Sequence, residues 1–176
     1  MVNRLKRILI VWLLIFICFL LQSTIFHVFS FGGIIPNLLI ILTAAFGFMR
    51  GEKNGLLIGF FSGLLIDIFF GEVIGFYALL YMYIGYANGK FCHVFYPEDI
   101  KLPMGLIVAS DLFYGLICYL LLFLMRSRFH IGYYFLHIIL PEIVYTLVVT
   151  LFLYPVILRI NSKLEADERE HEKKFI

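Results

Sequence analysis

Charge is scarce in this chain of 176 residues: 15% are Asp, Glu, Lys or Arg, against about 25% in soluble domains, while 62% are hydrophobic. The shortfall excludes a globular domain with a fully wetted surface and leaves an integral membrane protein. What charge there is sits at the two ends and in short loops, so the net charge of +2 supplies no basic face for nucleic acid. Cysteine is nearly absent as well. Cys18, Cys92 and Cys118 are too scattered for a metal cluster or a CxxC redox pair, and Cys18 and Cys118 lie inside apolar runs as small membrane-core residues. There is no HExxH, no GxSxG, no P-loop and no glycine-rich dinucleotide turn, and the five histidines are dispersed, so neither a metal nor a cofactor is predicted. No polar stretch on the outer side is long enough to fold as a domain. Any enzyme chemistry would have to take place within the membrane.

What the chain does have is apolar sequence in runs. Arg4, Lys6 and Arg7 precede a run over 8–28 that is longer than the core of a signal peptide and is not followed by a small-x-small cleavage site; it reads as a first membrane helix. Later helices are predicted at 34–49, 55–70, 75–91, 102–125 and 133–158, giving an all-α, six-helix transmembrane protein. Gly32, Gly33 and Pro36 separate the first two helices, with Pro36 suited to the first turn of the second. Residues 50–54 read as a tight polar hairpin, and 92–101, with Pro97, Glu98, Asp99 and Lys101, as the largest internal loop. With the N-terminus in the cytoplasm, twelve of the fourteen lysines and arginines fall on that side, and Arg126 and Arg128 alone fall outside. Such an asymmetry places both termini in the cytoplasm. The chain thus divides into a transmembrane domain, 1–160, and a charged cytoplasmic tail, 161–176, whose Glu165/Arg169 and Glu170/Lys174 pairs suit a solvated helical extension.

The most informative pattern is a ladder at a spacing of four: Gly51, Gly55, Gly59, Gly63, Asp67, Gly71 and Gly75. Residues four apart lie on one helix face, drifting by about 40° per step, so Gly55, Gly59 and Gly63 make a stripe without side chains that ends in a carboxylate. In lipid, apolar packing drives helix association weakly, and small-xxx-small spacing is a main means of docking. The stripe with Asp67, Gly71 and Gly75 is therefore a candidate packing or partner interface. Asp67, Asp111 and Glu142 are acids within predicted membrane helices, where an ionisable group costs about 2.5–3.5 kcal/mol even on the mild insertion scale. Each is expected either to line a substrate or ion path or to bond with a hydroxyl or backbone group on a neighbouring helix. Pro141, just before Glu142, predicts a bend in the sixth helix.

LQSTIF at 21–26 and the run IPNLLIILTAAFGFMRGEKNGLLIGFFSGLLIDIFFGEVIGFYALLYMYIGY at 35–86 resemble the rod shape-determining protein MreD family. The matching positions are Gln22, Pro36, Asn37, Leu38, Arg50, Gly51, Gly59, Phe60, Gly63, Leu64, Asp67 and Gly75. Asn37 stands where the family pattern more often has Asp. The second half matches in hydropathy alone, so the resemblance carries no role to Asp111 or Glu142. The resemblance implies a non-enzymatic subunit of the bacterial elongation machinery in the cytoplasmic membrane. Its implied partners are the scaffold MreC and, through it, MreB, RodA and a penicillin-binding transpeptidase; Gln22, Pro36 and Asn37 join the glycine ladder as candidate residues of a partner or helix-packing interface. The fold it implies is similar to the six-helix substrate-binding subunits of energy-coupling-factor transporters, which keeps a small-molecule transporter subunit as the alternative.

Overall fold

A computed structural model describes residues 2–30, 33–71, 73–94, 100–124 and 131–173. Gly32, Pro97, Glu98, Asp99, Arg126, Arg128 and Lys174, named above, lie outside the described residues. Within them the chain folds as six helical rods. The first, α1 (Val2–Leu20), continues through a π turn at Leu21–Ile25 into a last α turn at Phe26–Val28. It is followed by α2 (Leu38–Arg50), α3 (Glu52–Phe70) and α4 (Phe76–Lys90), the last ending in a 3-10 turn at Phe91–Val94. Next come α5 (Lys101–Leu124) and α6 (Leu140–Lys173), which is led in by a short helix at Ile131–Tyr134 and a π turn at Phe135–Ile139. Four stretches are long and apolar enough to cross a membrane: Lys6–Ile25, Glu52–Phe70, Lys101–Leu121 and Gly132–Asp167. The protein is a multi-pass membrane protein.

The centre of the bundle is α2. Every residue from Leu38 to Met49 is buried, and the helix touches each of the other five rods. A helix that is apolar all round finds its place in the interior, where no face has to meet water or headgroups. Around it, Ile15, Cys18, Phe19, Ile58, Tyr81, Ile84, Ile107, Tyr154 and Ile157 close a continuous core. The exposed large apolar side chains, such as Leu9, Leu13, Phe69, Leu120 and Phe152, form the outer surface of the rods.

Three boundaries differ from the sequence reading, each for a local reason. The second helix begins at Leu38 rather than 34, and Pro36 lies before its first turn, because the Asn37 side chain takes the capping position and accepts from the Ile40 amide at 3.2 Å. The 50–54 hairpin contracts to Gly51, whose φ of +86° reverses the chain in one residue and lets α3 start at Glu52. The sixth helix does not stop at 158 but runs unbroken to Lys173, with Asn161 and Leu164 still buried. The π turn before Pro141 sits where the missing proline N–H would otherwise leave a carbonyl unpaired in a regular ladder; Pro155 is accommodated inside α6.

Candidate functional site

The start of α2 poses a problem that the sequence solves with side chains. A helix N-terminus has four amides without intrahelical partners, and here it is buried among apolar rods where water cannot serve them. All of them are taken. Leu38 donates to the Pro36 carbonyl at 3.2 Å, and with Ile41 donating to the Asn37 carbonyl at 3.2 Å the regular intrahelical ladder begins. Gln22 Oε1, from the π turn of α1, accepts from the Leu39 amide at 3.2 Å, and Asn37 Oδ1 accepts from Ile40. The Asn37 amide in turn donates to Thr146 Oγ1 on α6 at 3.1 Å, and the Tyr81 hydroxyl on α4 donates to Asn37 Oδ1 at 2.7 Å. Four rods are thereby tied at one buried point. The π turn at Leu21–Ile25 belongs to this joint, since it carries Gln22.

Asp67 makes the second joint. It lies near the end of α3, is 1% exposed, and accepts from three amides at the start of α4: Gly75 at 3.0 Å, Tyr77 at 2.9 Å and Ala78 at 2.9 Å. Gly75 occupies the capping position with a φ of +100° and has no side chain to offer. The carboxylate of the preceding helix supplies the cap instead, placing negative charge at the positive end of the helix dipole. Gly71, which ends α3, hydrogen-bonds the Asp67 carbonyl at 3.1 Å and keeps this turn compact.

Between these joints the glycine stripe lets α3 and α4 meet backbone to backbone. A Cβ on Gly55, Gly59 or Gly63 would overlap the carbonyl oxygens of Gly85, Tyr81 and Tyr77 respectively. The fit is mutual, because a Cβ on Gly85 would meet the Gly55 carbonyl and one on Gly89 would meet the backbone of Glu52. The stripe is an interface within the bundle.

Asp111 on α5 and Glu142 on α6 are placed near each other, and the Thr146 hydroxyl lies beside Asp111. Asp111 is 2% exposed, yet among the described residues neither of its oxygens has a hydrogen bond of ordinary geometry. Glu142 is half-buried. At the opposite end of α2, Arg50 donates through Nε to Asn161 Oδ1, and Asn161 donates to Glu165 Oε1 at 2.8 Å. Lys6 and Asp167 close an exposed ion pair at 2.7 Å, so α1 begins where α6 ends. Among the described residues no three His, Cys, Asp or Glu side chains converge in a way that could hold a metal ion.

A family model for rod shape-determining protein MreD matches residues 3–163. The chain belongs to the MreD family. No curated protein and no solved structure matches it. The family is one of shape-determining membrane proteins, and the residues of its pattern now have places in this chain. Gln22, Pro36 and Asn37 build the start of α2, Gly59 and Gly63 seat α4 on α3, and Asp67 with Gly75 starts α4. The sequence reading missed Tyr81, Thr146 and Asn161, which complete the joints from afar; a hydroxyl or amide within an apolar run is common and gave no local signal. Gly85 and Gly89 did carry one, since with Tyr81 they repeat the spacing of four on the facing helix.

Proposed function

We propose that this MreD-family chain is a non-enzymatic scaffold subunit of the bacterial cell-elongation machinery in the cytoplasmic membrane. In this reading it binds the membrane-anchored MreC and so helps to organise the wall synthase of RodA and its penicillin-binding transpeptidase with MreB. One observation carries the reading. Gln22, Asn37, Gly59, Gly63 and Asp67 are spent on joints between helices, which is the use expected of residues that hold a docking shape.

Six crossings with both termini in the cytoplasm belong to the same proposal. The twelve-to-two distribution of lysine and arginine supports it, as does the Lys6–Asp167 pair, which brings the start of α1 to the end of α6. The short α4 is long enough once its end is added. The fifteen residues of α4 rise about 22 Å and its four-residue 3-10 turn about 8 Å more, matching a ~30 Å hydrocarbon core. Pro36 and Asn37, ahead of α2, are non-helical but buried in protein, the circumstance in which such backbone is tolerated at membrane depth. The six short-looped rods also support the likeness to the substrate-binding subunits of energy-coupling-factor transporters.

The test is complementation in a rod-shaped host depleted of its own family member, with tagged MreC recovered from the same membranes. Restored rod shape together with co-purified MreC is expected. Restored shape without MreC recovery would refute the binding step, and failure to restore shape at normal membrane abundance would refute the reading as a whole.

A further inference from the structure

Asp111 and Glu142 take no part in the joints that tie the rods. Glu142 lies four residues before Thr146, so the two share a face of α6, and Asp111 meets that face from α5. Asp111 is sealed inside the bundle, and among the described residues its two oxygens take no ordinary hydrogen bond. Water and metal ions cannot reach oxygens closed off in this way, so an ion path through Asp111 is excluded. What such a carboxyl can still bind is a proton. Glu142, half-buried, is where a proton can enter or leave the pair.

The surroundings offer the pair a hydroxyl and no positive charge. Thr146 Oγ1 already accepts from the Asn37 amide at 3.1 Å, which leaves the hydroxyl proton to turn toward Asp111 beside it. The titratable groups facing the two acids are Tyr81 from α4, Tyr114 and Cys118 from α5, and Tyr134 from the lead-in to α6. All four are neutral near pH 7. Among the described residues no lysine, arginine or histidine pairs with either acid. Neighbouring carboxylates with no cation between them repel strongly in a medium of low dielectric, and the repulsion is relieved when one of the two keeps its proton.

On its other side α5 is loosely held. The glycines of α4 draw that helix against α3 and α2, and a cleft of about 660 Å³, walled by Leu79 and Tyr83 from α4 and Phe113 and Ile117 from α5, opens between α4 and α5. α5 therefore rests on α2 and α6 and has room to swing toward α4. We infer that Asp111 and Glu142 hold a single proton between them and that this proton latches α5 to α6. With the proton bound, the pair carries one negative charge. Without it, two negative charges face each other across the α5–α6 contact and push α5 into the cleft. Thr146 serves both Asn37 and Asp111, so the latch adjoins the joint at the start of α2. The folded pair binds a proton that the unfolded chain releases above the ordinary carboxylate range; the latch is thus firmest at acid pH and weakens as the pH rises until the proton leaves. None of this depends on the orientation in the membrane or on the scaffold role.

The test uses the full chain in nanodiscs and has two readouts. Infrared spectra taken across a pH series follow the carbonyl stretch of a protonated carboxyl. Near pH 7 the wild type should show such a band, which disappears as the pH is raised. Asp111→Asn and Glu142→Gln each remove the neighbouring charge, so the remaining acid should bind its proton at least about tenfold more weakly, the mark of a coupled pair. The second readout is the distance between spin labels at Tyr83→Cys and Phe113→Cys, on the two walls of the cleft, in a chain whose natural cysteines are replaced by alanine. It should shorten as the wild-type band is lost and stay constant in Glu142→Gln, whose thermal transition shows that it is folded. A wild type without the band near pH 7, or a titration unchanged by either substitution, would overturn the shared proton. A label distance that ignores pH in the wild type would overturn the latch.

Discussion

Replacing Asp67 tests the second joint directly. Its carboxylate accepts three amide hydrogens at 2.9–3.0 Å, Gly75 and Ala78 on Oδ2 and Tyr77 on Oδ1. Hydrogen bonds to a charged group contribute about 1.5–3 kcal/mol each, but three on one carboxyl are not additive, and the outermost amide can find water once α4 frays. Asp67→Ala should therefore cost about 3–5 kcal/mol, a large share of the 5–15 kcal/mol that typically holds a domain. At roughly 2–4 °C per kcal/mol for a chain of this size, the melting temperature falls by about 10 °C. Asp67→Asn keeps one oxygen, which can still serve two amides, and turns an NH2 group towards the third; its cost should be about 1–2 kcal/mol. The assay is thermal unfolding of the purified protein together with membrane abundance and cell width in the same strains. If the acid is a joint, width should follow the amount of protein left. A wild-type melting temperature in Asp67→Ala would refute the capping role, and a loss of shape at full abundance in Asp67→Asn would return the residue to a partner contact.

The glycine stripe gives a sharper contrast. Gly63→Ala already places a methyl group against the Tyr77 carbonyl and should cost at least 2 kcal/mol, on the order of an overpacked core, whereas Leu57→Ala on the exposed face should stay within about 0.5 kcal/mol; equal melting temperatures would disprove the backbone contact. At the start of α2, Tyr81→Phe and Asn37→Ala should each destabilise by about 1–2 kcal/mol, and the double variant should cost less than their sum, a coupling that thermal or denaturant unfolding can measure. Asp111→Asn should leave stability within about 1 kcal/mol of the original or raise it, because among the described residues its one close hydrogen-bond donor is the Thr146 hydroxyl, which the Asn carbonyl can still accept from; a drop of 3 kcal/mol or so would reveal a partner that binds the carboxylate. In a chain freed of its natural cysteines, Ser127→Cys should react with an impermeant maleimide from outside and Asn3→Cys only after permeabilisation; the reverse pattern would reject the orientation.

How much of this could be read in the sequence depended on how far each residue's partner lay along the chain. The glycine ladder and Asp67 were legible because small residues at a spacing of four, and an acid in an apolar run, are costly anywhere except at a close helix contact or a polar partner. The nature of the Asp67 partner was also nearly local, ten residues on at Tyr77, but an acid capping the following helix from outside it leaves no spacing rule to recognise. Asn37 looked like one half of a family motif rather than a cap, since its other partners, Tyr81 and Thr146, follow 44 and 109 residues later. The boundaries at Gly51 and Leu38 were misplaced because hydropathy does not distinguish a one-residue reversal at positive φ from a short polar loop. Asp111 and Glu142 could be singled out as acids within apolar runs of different helices, whereas their nearness to each other needed the packing of α5 on α6.

The burial of α2 has a consequence for how the chain is made. A growing polypeptide delivers this rod second, with Gln22 already in the membrane but Tyr81 and Thr146 still to be synthesised. A thirteen-residue segment rises about 20 Å, too little to rest alone across the ~30 Å hydrocarbon, and its Asn37 amide stays unpaired until the last rod arrives. Insertion of this protein therefore cannot be a series of independent steps. The insertion machinery has to retain α2 in a sheltered, hydrated position while four further rods are added, and the bundle locks only when α6 closes over it. Ribosome-nascent chains halted before Thr146 should accordingly remain attached to that machinery and stay open to proteolysis, and those extended past Asn161 should be released.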